Sequence, residues 1–400
     1  MYQRLILFRS FGSAGRPISA AGGPHLAIQT AGDPLSDFTV SHVEFHVGDA
    51  RQAAYYYRTA FGFETLAEGG PETGLADRRS ILLGQGDIRL LMTSDLTADG
   101  PVARYVARHG DGVANVALRT GDAEGAFRRA VEHGAEVVAE PAEVEYEDGS
   151  VAVSAAVRAF GDTVHTFVQY GAEGQLPHPR LQATGPGAQP GARSGQAAGD
   201  TPRLHSLDHF AVCLPAGELA RTVAFYEKGL GFDEAFEEFI EVGDQAMESK
   251  VVRSPSGAVT FTFLEPDVRR KPGQIDTFLD AHGGAGVQHL AFGTSDIAAA
   301  VPHIASQGVE FLHTPATYYD AVEDRVGSLG GDLEVLRDLC VLADRDDWGL
   351  LYQIFTRSPH ARGTFFLELI ERRGAQTFGS GNIKGLYEAV ERAQALTGAT

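Results

Sequence analysis

The chain has 400 residues, of which 43% are hydrophobic and 22% charged, a composition typical of a globular protein large enough for two domains. Its 33 Lys and Arg residues against 53 Asp and Glu residues give a net charge of −20, which repels phosphate groups and excludes nucleic acid and anionic membranes as partners. Two cysteines, Cys213 and Cys340, exclude a disulfide framework and a thiolate metal cluster, and predict a reducing, cytoplasmic location.

The N-terminal segment, residues 1–37, is rich in Gly and Ala and is predicted to be a loosely ordered extension. Its apolar run, residues 5–8, is shorter than the roughly 7–15 residues of a signal-peptide core. No stretch of the sequence approaches the roughly 18 apolar residues of a membrane span. We therefore expect neither export nor a membrane partner.

Three segments of the first half recur in the second half in the same order. The first pair shares a strand, a short acidic turn, a helix with two aromatic residues, a Gly-Phe step and a second strand. The second and third pairs each predict a further strand. Repetition on this scale indicates a duplicated module. The paired segments are 41–68 with 208–238, 111–120 with 285–294, and 164–170 with 363–370.

The repeat predicts an α+β fold built from β-α-β-β-β modules, whose strands pair into cupped sheets with polar residues on the concave side. The Gly- and Pro-rich residues 171–203 are predicted to be a linker between an N-terminal structural domain, 38–170, and a C-terminal catalytic domain, 204–400. After the last strand, residues 380–398 have one apolar face and are predicted to form a helix that covers the C-terminal cup as a lid.

Two histidines and one carboxylate occupy inward strand positions of the C-terminal half. His209 and His289 each alternate with an alanine, and Glu368 is the single charge within a six-residue apolar run. A carboxylate in such a run is costly to bury unless it is paired or binds a metal. Two imidazoles and a carboxylate are the ligand set of non-haem iron(II) sites, although zinc takes the same donors. A further alternative is two hydrogen-bonded core histidines with a glutamate at the sheet rim.

The N-terminal half has His42, Asn115 and Gln169 at the matching positions, so at most one good metal ligand remains. We therefore expect this half to be structural and free of metal.

Five sequence blocks resemble, in order, those of the 4-hydroxyphenylpyruvate dioxygenase and 4-hydroxymandelate synthase family: LDHFAVC, GVQHLAF, LYQIFT, FFLELIERRG and FGSGNIKGLYEAVE. The resemblance covers roughly residues 38–395 and implies the vicinal-oxygen-chelate fold. It also implies that iron(II) is bound by His209, His289 and Glu368. Glutamines that line the family's substrate pocket match Gln274, Gln288 and Gln353.

Both branches of this family take 4-hydroxyphenylpyruvate and dioxygen and release carbon dioxide from the 2-oxo acid. The dioxygenases then hydroxylate the ring and form homogentisate. The synthases hydroxylate the benzylic carbon and form (S)-4-hydroxymandelate. The position of the substrate ring selects between these outcomes.

At several positions this chain departs from the dioxygenase pattern and resembles the synthase branch. Thr262 stands where the dioxygenases have a proline, while Ile383 and Tyr387 replace two phenylalanines of the terminal helix; Ser249 also matches the synthases. These residues are predicted to contact the substrate and to direct oxygen to the benzylic carbon. We therefore expect formation of 4-hydroxymandelate, with homogentisate formation as the first alternative and a metal-free ligand-binding protein as the second.

By family analogy, a hydroxymandelate-forming enzyme suits a route to 4-hydroxyphenylglycine in a peptide antibiotic. The sequence leaves open whether the chain forms a homo-oligomer.

Overall fold

A computed structural model describes residues 16–17, 33–184, 204–379, 381–382 and 384–385. Its N-terminal half contains α1 to α3 and a short 3-10 helix, with bounds Ala50–Phe61, Pro101–His109, Ala123–Glu132 and Pro71–Thr73. Ten strands accompany them. Strands β1 to β10 span Arg16–Pro17, Thr39–His46, Glu64–Gly69, Arg78–Gln85, Ile88–Asp95, Gly112–Arg119, Val137–Glu145, Val151–Phe160, Thr163–Tyr170 and Gln182–Ala183.

The C-terminal half follows the same plan with eight strands. Strands β11 to β18 span Leu204–Cys213, Asp233–Val242, Gln245–Arg253, Thr260–Pro266, Gly286–Thr294, Leu342–Arg345, Leu350–Phe355 and Phe366–Arg373. Helices α4 to α8 span Leu219–Leu230, Gln274–His282, Ile297–Ser306, Ala316–Val326 and Asp332–Asp338. Helices α7 and α8 extend the last module between α6 and β16, an addition that the repeat did not predict.

Each half forms one curled, mixed sheet. The N-terminal strand order is β1-β7-β8-β9-β6-β2-β5-β4-β3-β10, and the C-terminal order is β12-β13-β14-β11-β15-β18-β17-β16. In both sheets the first strands of the two modules, β2 with β6 and β11 with β15, are antiparallel neighbours at the centre. Each of these pairs is flanked by parallel partners, β5 and β9 or β14 and β18. The predicted α+β fold of duplicated modules is confirmed.

The repeated Gly-Phe step ends the first helix of each half. Gly62 follows α1 with φ 77°, and Gly231 follows α4 with φ 67°, a left-handed conformation that glycine adopts without steric cost. The next residue then returns to the helix, because the Phe63 amide donates to the Tyr57 carbonyl and the Phe232 amide to the Tyr226 carbonyl. The motif thus sets the direction in which the chain leaves the helix and enters the following strand.

The two halves share one hydrophobic core. Buried Phe45 and Phe167 of the first half belong to the same continuous cluster as Phe261 and Phe292 of the second. Helix α3 lies against α4, and the Tyr226 hydroxyl lies 2.6 Å from His165 Nε2. Packing of this kind fixes the position of one half against the other.

Parts of the predicted extension and linker pack on the N-terminal half. Residues 33–37 form a turn that buries Leu35, and Thr120 donates a hydrogen bond to the Pro34 carbonyl. In the segment after β9, Leu181 is buried and β10 pairs with β3. None of the helices among the described residues is both long and apolar enough to cross a membrane.

Candidate metal centre

Three adjacent strands of the eight-stranded sheet place His209, His289 and Glu368 on one face, here called the C-terminal cup. In the register of β11, β15 and β18, His209 lies opposite Ala291, and Ala291 lies beside Glu368. His289 lies opposite Ala211. The two alanines are fully buried and leave room above the sheet, so the two rings and the carboxylate lean toward one another.

The side chains converge on one point. Their potential ligand atoms all lie within 4.8 Å of one another. Glu368 Oε2 is 3.4 Å from His209 Nε2 and 3.3 Å from His289 Nε2. The three residues are only 4%, 9% and 2% exposed for His209, His289 and Glu368. Residues separated by about 80 positions in the sequence therefore form one buried donor set of two nitrogens and a carboxylate.

This donor set fits a divalent transition metal. Burial lowers the pKa of His289 despite the nearby Glu368 carboxylate, so the ring is neutral at pH 7 and its Nε2 lone pair is available. A metal held by two imidazoles and one carboxylate would keep coordination positions for further ligands, as in non-haem iron(II) sites. Zinc accepts the same donors.

A register shift precedes each histidine of the cluster. Asp208 is an extra residue on β11, and Gln288 is an extra residue on β15. A bulge re-aims the side chain of its extra residue. As a result, Nδ1 of His209 donates to Asp208 Oδ1 over 2.8 Å, and Nδ1 of His289 lies 3.3 Å from Gln288 Oε1. Both rings thereby keep Nε2 directed at Glu368.

Arg372 holds Asp208 on its other side. Its guanidinium donates to both carboxylate oxygens over 2.7 and 2.8 Å. Burial alone would raise the pKa of Asp208, but the hydrogen bonds from Arg372 and His209 and their charges outweigh this and lower it. Sequence reasoning missed both residues. The available signal was one acidic and one basic residue of opposite charge within the blocks LDHF and IERR, close to His209 and Glu368.

Aromatic side chains surround the two rings. Phe366 stacks on His289 with ring centroids 4.9 Å apart, and Phe355 meets it edge-on at 5.8 Å. Phe378 meets His209 edge-on at 5.0 Å. These three phenylalanines, which sequence reasoning also missed, shield the donor atoms from water.

Four of the predicted substrate residues are buried in the C-terminal half. Ser249 lies on β13 and Thr262 on β14, where Thr262 is the neighbour of Ala211. Gln353 lies on β17 beside Ile370, two positions along β18 from Glu368. Among the described residues, Thr262 Oγ1 and Gln353 Oε1 are buried without a hydrogen-bond partner. Gln288, the fourth, contacts His289 as described above.

The remaining predicted substrate residues are placed differently. Gln274 is the first residue of α5 and is exposed to solvent, so the structure does not bring it among the buried residues of the cup. Ile383 and Tyr387 lie outside the described residues, as does most of the predicted lid, 380–398.

The N-terminal sheet has other residues at the positions that correspond to the three members of this donor set. By the register of β2, β6 and β9, the counterparts of His209, His289 and Glu368 are His42, Asn115 and Thr166. The matching of Gln169 to Glu368 was therefore wrong by three residues, since Ala117 lies beside Thr166. We call this face of the N-terminal sheet the N-terminal cup.

The chain matches the model of the Glyoxalase/Bleomycin resistance protein/Dioxygenase superfamily over residues 39–163 and 206–326. It is 36% identical over 387 residues to a 4-hydroxyphenylpyruvate dioxygenase of Coccidioides posadasii, covering 89% of this chain and 93% of that protein. A 4-hydroxyphenylpyruvate dioxygenase of Neurospora crassa is 34% identical over 413 residues, covering 94% and 96% respectively.

Among solved structures, the chain is similar to a triple mutant of 4-hydroxymandelate synthase from Streptomyces coelicolor. The two superpose with a TM-score of 0.79 and share 44% sequence identity over 89% of this chain and 98% of that one. The likeness extends over most of this chain and nearly all of the other.

Proposed function

The chain belongs to the Glyoxalase/Bleomycin resistance protein/Dioxygenase superfamily and, within it, to the 4-hydroxyphenylpyruvate dioxygenase family of non-haem iron oxidoreductases, and on this premise we propose that it is a 4-hydroxymandelate synthase. The proposed reaction converts 4-hydroxyphenylpyruvate and dioxygen to (S)-4-hydroxymandelate and carbon dioxide. One oxygen atom enters the carboxyl group left by decarboxylation and the other enters the benzylic carbon, so the atoms balance.

The observation that carries the proposal of an iron(II) enzyme is the convergence of His209, His289 and Glu368 within 4.8 Å in a buried cup. We propose these three residues as the ligands. Iron(II) bound there supplies a site at which a 2-oxo acid chelates and dioxygen is activated. The protein contributes two imidazole nitrogen donors, one carboxylate and a wall of phenylalanines that excludes water.

The choice of the synthase over the dioxygenase is supported by two observations. Identity to the solved 4-hydroxymandelate synthase is 44%, against 36% and 34% to the two fungal dioxygenases. In addition, Thr262 lies beside Ala211, in the same row of the sheet as His289, and its buried hydroxyl has no hydrogen-bond partner among the described residues. A free donor at this position suits the phenol of the substrate.

We propose that Ser249, Thr262, Gln288 and Gln353 bind and orient the substrate, together with Ile383 and Tyr387 of the sequence prediction. Two of these, Thr262 and Gln353, bring polar atoms that a ligand can satisfy. A substrate held by its phenol would present its side chain to the metal, and a small tilt of the ring then decides which carbon is hydroxylated.

The test is single-turnover chemistry. The protein is loaded anaerobically with iron(II), mixed with 4-hydroxyphenylpyruvate and exposed to air, and the products are identified by chromatography. 4-Hydroxymandelate is the expected product. Homogentisate as the main product would contradict the synthase assignment and show dioxygenase activity, the activity named for the fungal relatives. No oxygen uptake would overturn both and favour the metal-free binding protein.

The matched pair of variants is Glu368→Gln and Glu371→Gln, three residues apart on β18. Glu368→Gln removes the carboxylate ligand and is expected to abolish stoichiometric iron(II) binding and turnover. Glu371 is also buried, but its Oε2 accepts from the Ile297 amide at the start of α6, away from the cluster. Its amide variant keeps an acceptor there and should retain both iron and activity.

A further inference from the structure

His209 is the first member of a chain of hydrogen bonds, here called the relay, that leads away from the donor set of His209, His289 and Glu368. Its Nδ1 donates to Asp208 over 2.8 Å, and both oxygens of Asp208 accept from Arg372 over 2.7 and 2.8 Å. His289 has no such charged partner among the described residues, because its Nδ1 faces the neutral amide of Gln288. The cluster therefore has one histidine that is backed by a charge pair.

The N-terminal cup contains the same relay in a neutral form. Ser41 is the extra residue on β2 before His42, as Asp208 is on β11 before His209. Ser41 Oγ lies 3.1 Å from His42 Nδ1 and 2.8 Å from the Tyr170 hydroxyl. Tyr170 is four residues beyond Thr166, just as Arg372 is four residues beyond Glu368.

This comparison separates two roles of the relay. In the N-terminal cup the Nδ1 partner of His42 is a hydroxyl, and the charge near this ring is the Glu44 carboxylate two residues along β2. The partner of the Nδ1 atom on this scaffold therefore need not be charged. The half that carries the donor set has instead a carboxylate and a guanidinium at the two positions. A carboxylate on the distal nitrogen fixes the tautomer of a metal-bound imidazole and strengthens it as a donor.

Arg372 is itself held in place by a second set of contacts. Its Nη1 donates to the carbonyls of Ala375 and Thr377 over 3.2 and 2.7 Å. Its guanidinium also lies 5.0 Å from the ring centroid of Phe378, which in turn packs edge-on against His209. The same guanidinium thus fixes Asp208 behind the imidazole and Phe378 beside it.

We infer that Asp208, held by Arg372, is a positioning residue whose charge strengthens the binding of iron(II) by His209. This inference rests on the proposed iron site and adds to it a residue pair that touches neither metal nor substrate. Asp208 acts through the His209 ring, and Arg372 acts through Asp208.

The sharpest test exchanges the relay for its N-terminal counterpart. The double variant Asp208→Ser, Arg372→Tyr keeps hydroxyl partners at both positions but removes both charges. Iron(II) affinity of the full-length protein is measured by competition with a chelator of known affinity, and cobalt(II) is used as a spectroscopic probe of the ligand geometry. We expect at least a tenfold weaker iron(II) affinity, the lower end of what loss of a hydrogen-bonded ligand partner costs, and altered cobalt absorption.

The matched control is Arg373→Ala, the next residue on β18. Arg373 also makes two ion pairs, to Glu371 over 2.6 Å and to Asp332 over 2.5 Å, but it does not belong to the relay. Its loss should leave iron(II) affinity and the cobalt spectrum unchanged. Thermal unfolding of every variant shows whether it is folded, and the single variant Asp208→Asn replaces the double variant if that one is not.

Each result has one meaning. Iron(II) affinity of the folded double variant within threefold of the wild-type value, with an unchanged cobalt spectrum, would show that the pair is merely structural and overturn the inference. A wild-type protein that binds no iron(II) in the same assay would instead overturn the proposed function.

Discussion

Thr262 carries a hydroxyl group whose role can be measured separately from its contribution to packing. The residue is 7% exposed and its Oγ1 has no hydrogen-bond partner in the described structure. A buried hydroxyl without a partner costs about 1–3 kcal/mol of folding free energy. Since valine has nearly the same shape, the variant Thr262→Val should unfold at a higher temperature in the absence of substrate by the equivalent of about 1 kcal/mol. It should also raise KM for 4-hydroxyphenylpyruvate, because the proposed phenol contact is lost.

The N-terminal cup supplies the control for this prediction. Thr166 Oγ1 is likewise buried without a partner, but at the position that corresponds to Glu368 in the half without the donor set. Thr166→Val should stabilise the protein to a similar extent and leave KM unchanged. Equal KM values for Thr262→Val and wild type would remove Thr262 from the substrate site.

At the residue scale, alternation along strands predicted His209, His289 and Glu368 on one face. It could not predict Asp208 and Gln288 beside the histidine rings, because each is the extra residue of a register shift. A shift of one residue moves a side chain from one face of the sheet to the other. The matching of Gln169 was wrong for another reason: it aligned two weakly similar strands by sequence alone, whereas the continuous register of β6 and β9 identifies Thr166.

At the element scale, the Gly-Phe repeat identified the ends of α1 and α4 because left-handed helix ends select glycine strongly. Helices α7 and α8 were not predicted, since a duplicated module carries no information about an insertion in one copy. Residues 380–398 were assigned to a lid helix from one apolar face alone. In the structure, Asn382 lies completely buried and accepts hydrogen bonds from Tyr318 and Arg325 of α7, so the inserted helix anchors the start of that segment.

Gly231 tests the role of the helix end directly. With φ 67°, an added Cβ would be strained, and it would lie 3.0 Å from the Cβ and Cδ1 atoms of Leu35. A side chain in the left-handed region costs roughly 1–2 kcal/mol, so Gly231→Ala should lower the free energy of unfolding by at least this amount in urea titrations. Gly48→Ala is the control, because its Cβ would meet Asp111 at an ordinary 3.7 Å. Equal unfolding free energies for the two variants would contradict the prediction.

At the scale of the whole molecule, the linker composition and the repeat divided the chain into two halves, but they could not reveal that the halves share a core. An apolar face of a sheet or helix gives the same sequence pattern whether it packs within its own half or against the other half. In the structure, Phe160 packs edge-on against Phe263 at 6.0 Å, and Phe63 lies 5.9 Å from Phe292. Because these contacts join the two halves, we expect the halves to unfold in one cooperative transition.

Two histidines lie where the halves meet. His165 is completely buried, with Nδ1 3.0 Å from the Val116 carbonyl and Nε2 2.6 Å from the Tyr226 hydroxyl. His282 stacks on His109 with ring centroids 4.4 Å apart, close to the charges of Asp162 and Arg108. Burial is the largest cause that lowers the pKa of each, from 6.5 to about 4.

These pKa shifts predict that the free energy of unfolding of the protein falls at acidic pH. A histidine whose folded-state pKa is lowered contributes its full stability above the unfolded value of 6.5 and loses it as the pH falls toward about 4. At 1.36 kcal/mol for each pKa unit, each ring accounts for at most roughly 3 kcal/mol. The free energy of unfolding from urea titrations should therefore fall between pH 7 and pH 4.5. In His165→Gln, which stays neutral, this slope should be shallower, whereas His303→Gln, at an exposed position of α6, should keep the wild-type slope. Identical slopes in all three proteins would show that the buried ring of His165 is not what makes the joined halves sensitive to acid.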